Sequence, residues 1–170
     1  MKNILIILFL SVSTVLLSQE HTIKTQEATV SFNFFSKETT GTIKNVSATI
    51  SINKKALSKS VVRGSANVTS LSTENEGRDS HLMNADFFDA EKYPTMIFQS
   101  TGLEIIENEL IAKGSLTIKE VSKEIMFVVT EEEGSLVFTS MIYSSDFDIN
   151  VKKEREDNKI EVKVFVPFSK

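Results

Sequence analysis

The chain has no cysteine and no tryptophan, and only two prolines, two histidines and six glycines in 170 residues. Without cysteine it forms no disulfide and carries no lipid on a processed cysteine, so the fold must close on its own apolar core. Two histidines cannot build a zinc cluster unaided, and neither a metal nor a cofactor is expected. A basic stripe is also missing. The 19 lysines and arginines are outnumbered by 23 acidic residues, for a net charge of −4, which argues against a nucleic-acid partner. Basic residues stand singly or alternate with acids, as in Lys152, Lys153, Glu154, Arg155, Glu156 and Asp157, a run that reads as a solvated hairpin tip. The nucleophile elbow Gly-x-Ser-x-Gly is absent too. A hydrolase built from Asp79, His81 and Asp89 therefore has little support, and no catalytic residue is assigned.

The one long apolar run lies at the start, where Lys2 precedes Ile4 to Leu10 and a weaker continuation to Leu17. That is the pattern of a secretory signal peptide, expected to span residues 1–18 with cleavage after Ser18. It is interrupted by Ser11, Ser13 and Thr14 and has no basic flank, so a retained membrane anchor is not expected. The mature chain, residues 19–170, is expected to be one periplasmic or secreted domain. Loss of Lys2 moves its formal charge from −4 to −5.

What is present in abundance is alternation. Val30, Phe32 and Phe34 share one face while Thr29, Ser31 and Asn33 share the other, which describes a half-buried strand. Val46, Ala48, Ile50 and Ile52 repeat the pattern, and so do Val62, Gly64, Ala66 and Val68 within a strand read as Ser60 to Ser70. Further runs follow through Met96, Phe98 and Ser100, through Leu110 and Ala112, and through Ile125, Phe127 and Val129. The last runs pass through Leu136 and Phe138 and through Ile160 to Phe168. Turns are expected at Glu107-Asn108, at Lys119 to Lys123 and at Glu133-Gly134. About eight short strands, each with one apolar face, predict an all-β fold, a single antiparallel barrel of the lipocalin-like kind. Closure removes the sheet edges that a disulfide-free exported protein can ill leave open. An eight-strand interior is filled by side chains or holds one small ligand, and the pattern alone favours the filled barrel. Twelve phenylalanines supply flat apolar walls.

Between the third and fourth long runs lies Arg78 to Ser100, which holds His81, Phe87-Phe88 and Tyr93-Pro94. Its first part, about Asp79 to Ala90, is expected to be a short helical insert with Asp79 as its cap. Arg78, His81 and Tyr93 are the candidates for holding a head group at the barrel mouth, the arginine by bidentate contact. The structural alternative is an Arg78–Asp79 bridge that pins the insert.

With these residues in place, the sequence resembles the YceI-like family of exported, lipocalin-like proteins. The likeness is carried by Ser70-Leu71-Ser72-Thr73, Arg78 to Leu82, Asp86-Phe87-Phe88-Asp89, Tyr93 to Ser100, Gly114 to Ile118 and Ser145-Asp146-Phe147. The resemblance implies a barrel that takes a long isoprenoid or similar amphiphile into an apolar lumen, for binding and carriage without catalysis. The lumen candidates are then Phe32, Phe34, Ile50, Val62, Ala66, Val68, Phe87, Phe88, Met96, Phe98, Phe127 and Phe138. The chain departs from the family pattern at Ser144, where arginine is frequent, and at Glu120 and Asp148, where glycine is frequent. Phe35-Ser36-Lys37 also stands where many members carry a histidine. A secreted domain that acts through its surface, a lipid-modifying enzyme and pairing of two copies remain open as alternatives.

Overall fold

The structure, a computed structural model, describes residues 21–168; the signal peptide read in residues 1–18 lies outside them. Alternating sequence becomes nine strands: β1 (His21–Phe34), β2 (Thr39–Ile52), β3 (Val61–Asn67), β4 (Leu71–Ser72), β5 (Thr95–Ile106), β6 (Glu109–Ile118), β7 (Val121–Glu132), β8 (Ser135–Tyr143) and β9 (Lys159–Pro167). All but the two-residue β4 form a closed antiparallel barrel. Its order around the wall is β1, β2, β3, β5, β6, β7, β8, β9, and β1 pairs with both β2 and β9. One short helix, α1 (Glu76–Leu82), sits between β4 and β5.

Two breaks in the alternation have local causes. In β2, Ala28 faces Val46 and Val30 faces Ile43, so β2 spends three residues where β1 spends two. Asn45, at φ 55°, takes up the extra residue as a bulge and keeps Ile43 in phase with Val46, Ala48 and Ile50. The strand read from Ser60 to Ser70 is shorter than expected. The Asn67 side chain accepts hydrogen bonds from the Thr69 N–H (2.9 Å) and hydroxyl (2.8 Å), and this turn winds Val68–Ser70 into a 3-10 turn. The chain then resumes as β4 along the same edge of β2, pairing Ser72 with Thr42 and Leu71 with Ile43.

Tight two-residue hairpins join β5 to β6 at Glu107-Asn108 and β7 to β8 at Glu133-Gly134, all four residues having positive φ. The β6–β7 connection is tighter than Lys119 to Lys123, because β7 already begins at Val121. Two glycines carry aromatic rings. A Cβ on Gly41 would stand 2.3 Å from the Phe32 ring, and one on Gly114 would stand 2.4 Å from the Gln99 carbonyl and 2.8 Å from the Phe98 ring. Phe98 meets Phe127 edge to face at 5.1 Å, and Phe127 meets Phe138 likewise at 6.3 Å. The core divides in two. One cluster runs the length of the barrel, and a second gathers Ile118, Ile142, Phe147 and Ile149 at the end where α1 lies.

Because both the backbone of β5 and the Phe98 ring occupy the space a side chain would need, Gly114→Ala is expected to destabilise the protein by about 1–3 kcal/mol. Urea unfolding, read as a lowered midpoint at constant slope, checks this.

Candidate functional site

The inward rows do not fill the barrel. They enclose a cavity of about 250 Å³ whose wall is almost wholly carbon. Phe32, Phe34, Ile50, Val62 and Ala66 line it, and so do Phe88, Met96, Phe98, Phe127 and Phe138. The β9 row Ile160, Val162, Val164 and Val166 completes the wall; its alternation is plain in the sequence, although nothing there marks it as lumen rather than packing. Gly64 leaves β3 backbone bare beside Ala66.

The cavity reaches toward one end of the barrel. Lys37, Arg78, Leu82, Phe88, Ser144, Ile149 and Val151 line it, and all belong to the connections at that end: β1–β2, the insert and β8–β9. No residue of the β2–β3, β5–β6 or β7–β8 connections does so. At that far end the β2–β3 connection folds inward, with Leu57 packed on the core and the Ser58 carbonyl close over Gly102 of β5.

Four of the sequence candidates stand elsewhere. Val68 is buried at 2% exposure, but the turn set by Asn67 swings it off the lumen row. Phe87 packs on the second core cluster and takes the His81 ring against it at 4.9 Å. His81 itself is exposed on α1. Tyr93 is a strut: its hydroxyl donates to Glu120 at 2.9 Å, tying the exit of the insert to the β6–β7 turn. A sequence cannot separate these roles, since apolar and aromatic residues both line cavities and staple inserts.

Arg78 does line the cavity, in a setting different from a simple Arg–Asp bridge. The cap of α1 is Asn75, whose side chain accepts the Arg78 N–H at 2.9 Å, and not Asp79. Asp79 instead accepts from the Thr73 N–H at 2.9 Å and from the Thr73 hydroxyl. That hydroxyl and the Thr73 carbonyl accept Arg78 Nε and Nη2 at 2.7 and 2.9 Å. Thr73, buried at 6% exposure, thus relays between the two charged residues. Burial pushes the Asp79 carboxyl up, but the hydrogen bonds from Thr73 outweigh it and hold the carboxyl below its ordinary value.

The β8–β9 connection is not a free hairpin tip. Asn158, with 0% exposure, accepts from the Val151 and Lys152 N–H groups at 3.0 and 2.9 Å and donates to the Lys152 and Glu154 carbonyls at 2.9 and 2.7 Å. All four hydrogen-bonding positions of its amide are used. Arg155 binds Asp146 through two bonds of 2.8 and 2.7 Å and lies 3.5 Å over the Tyr143 ring. These ties seat the turn Ser144–Phe147 where the barrel wall is open: β7 and β8 pair only from Val128–Thr139 to Glu132–Ser135. Phe147 fills the gap, buried at 1% exposure against a cluster that includes Val121 and Ile125 of β7. Two buried hydroxyls of the turn, Ser144 Oγ and Ser145 Oγ, have no hydrogen-bond partner among the described residues.

Residues 21–169 match the family model for the YceI-like domain. The chain is 35% identical over 85 residues to the protein YceI of Escherichia coli O157:H7, covering 50% of this chain and 44% of that protein. Identity to the YceI protein of Salmonella arizonae over the same length is 33%. The matched stretch spans under half the length of these relatives. Among solved structures, the YceI protein of Campylobacter jejuni is 28% identical, with a TM-score of 0.61 over 74% of this chain and 81% of that one. Burkholderia cenocepacia BcnA gives a TM-score of 0.69 at 20% identity, over 82% of this chain and 94% of that one. A polyisoprenoid binding domain from Saccharophagus degradans gives 0.57 at 11% identity, over 88% of this chain and 100% of that one. At such low identity these last two show the fold alone.

The Arg155 guanidinium holds the Asp146 carboxyl below its ordinary value of 3.8. A carboxyl lowered by folding contributes stability that is full above its unfolded value and is lost as pH falls through the folded one. Arg155→Ala is therefore expected to raise the Asp146 titration toward 3.8, read by carboxyl NMR. It is also expected to flatten the loss of stability between neutral pH and about pH 3, read from urea midpoints.

Proposed function

We propose, for a chain that belongs to the YceI-like domain family over residues 21–169, that the barrel takes up an isoprenoid or similar amphiphilic lipid in its lumen and carries or stores it. The observation that carries this reading is the continuous carbon-lined cavity running to the end where α1 and the β8–β9 connection gather. Ten lining residues anticipated from sequence, from Phe32 on β1 to Phe138 on β8, become the contacts for the apolar chain. Each buried methylene contributes roughly 0.8 kcal/mol, so a few prenyl units in a preformed slot reach about micromolar affinity after the costs of association. Uptake and release are the whole activity in this reading, with no bond made or broken.

Lys37 and Arg78 supply positive charge on the lining at the same end. Arg78 is the group for an anionic head, since its guanidinium is already oriented by Thr73. The signal-peptide pattern of residues 1–18 supports a carrier that acts in the periplasm or outside the cell. No helix among the described residues is long and apolar enough to cross a membrane.

Protein purified from an exporting host is expected to release a lipid on organic extraction and to show its mass in native mass spectrometry. No co-purifying lipid, together with no uptake of a long-chain probe, overturns the reading. Ala66→Phe narrows the bore beside Met96 of the neighbouring strand and is expected to abolish uptake while circular dichroism stays that of the barrel; unchanged uptake would take Ala66 off the ligand path. Arg78→Ala is expected to weaken a pyrophosphate-headed probe more than a neutral quinone.

A further inference from the structure

Four glycines stand inside strands, and three have a local reason to lack a side chain. A Cβ on Gly41 would run into the Phe32 ring, one on Gly102 into the Ser58 carbonyl, and one on Gly114 into the Gln99 carbonyl and the Phe98 ring. Gly64 has no such neighbour. A Cβ there would meet a single atom within 4 Å, the Ser47 carbonyl oxygen at 3.8 Å, which is an ordinary contact. Its φ is not positive. The register of β3 runs unshifted from Ser47–Ser65 to Ser51–Val61 against β2 and from Arg63–Gln99 to Asn67–Thr95 against β5, so no bulge calls for a glycine. Glycine in a strand interior costs stability, and where no bulge or bend explains it, it marks a close approach by a ligand or another backbone.

Gly64 lies between Val62 and Ala66 on the inward row, and all three line the lumen. Arg63 and Ser65 alternate to the outer face yet border the same cavity, so the backbone of β3 is bare to it at this point. Phe98, the inward neighbour on β5, turns its ring to Gly114 and leaves the space over Gly64 unfilled. We infer that this space is a notch for a methyl branch of the guest, and that Gly64 is the residue that favours branched, isoprenoid chains over straight ones. This rests on the lumen reading and adds to it the shape of the chain. A straight chain needs only the width left between flat phenylalanine rings. A chain with methyl branches needs side room as well, and a missing side chain in a carbon wall supplies it. Each methyl group buried there is worth about fourfold in affinity.

The test sets 1-dodecanol against 3,7,11-trimethyl-1-dodecanol, the same chain carrying methyl branches, as competitors of a bound long-chain fluorophore in the wild-type protein and in Gly64→Ala. The added methyl group fills the notch. Gly64→Ala is therefore expected to weaken the branched alcohol about fourfold or more, the worth of one displaced methyl group, and the straight alcohol by less than about twofold. Equal losses, a larger loss for the straight alcohol, or no loss for the branched one overturns the inference. The empty protein provides a separate readout. With open space at the Cβ position and no positive φ, Gly64→Ala is expected to leave Tm unchanged or raise it; a fall would show that the fold itself requires the glycine and overturn the inference as well. If neither alcohol nor fluorophore enters the wild-type protein, the lumen reading fails first and this one goes with it.

Discussion

The double pairing of β1 is the constraint on which the rest of the molecule depends. From Val30 to Phe34 its residues are matched to Ile43–Thr39 of β2 on one side and to Val164–Ile160 of β9 on the other. Unpairing either side would leave a sheet with two bare edges and no disulfide to hold its ends together. Closure at eight strands also sets the bore, because diameter follows strand number. Every inward side chain then competes for one fixed volume. The β1 and β2 bulge at Asn45 belongs to the same requirement, since without it the residues on the two sides of the bulge would face opposite ways.

Within that bore, the placing of small residues decides whether a cavity survives. Phe98 pairs across to Gly64 on β3 and rests its ring over Gly114 on β6; Phe127 pairs with Ala112. Phe32 lies over Gly41 in the same manner. Each ring therefore lies along the wall, in space that its neighbour's missing side chain leaves free, instead of projecting across the axis. The six phenylalanines of the lining would otherwise fill it. The edge-to-face chain from Phe98 through Phe127 to Phe138 packs these rings against one another along the wall.

The barrel itself was legible because period-two alternation is a direct consequence of one buried face, and eight of the strands announce themselves that way. Nine of the twelve lumen candidates line the cavity for the same reason. What escaped the sequence is what depends on connections. Val68 continues the alternation on paper, yet one Asn67 side chain captures the next turn and moves it off the row. Phe87 and Phe88 are neighbours with equal composition signal, and only the path of the insert sends Phe88 into the lumen and Phe87 to the second cluster. The charged run from Lys152 to Asp157 looked solvated, and its charges largely are. Its order comes from Asn158, a single amide whose four bonds leave no trace in composition or periodicity. Ser144 was visible only as a departure from a family pattern; that its hydroxyl is left over follows from the geometry of a turn.

The polar groups at the α1 end bear on what the bore can discriminate. Arg78, Thr73 and Asp79 satisfy one another, so a guest that ignores them leaves nothing unpaired. An apolar bore discriminates weakly in any case: one methylene more or less is worth on the order of 1–3 kcal/mol, and a hydrocarbon wall accepts most chains that fit its width. In a bore lined by carbon, the width that the phenylalanine wall leaves open sets what can fit.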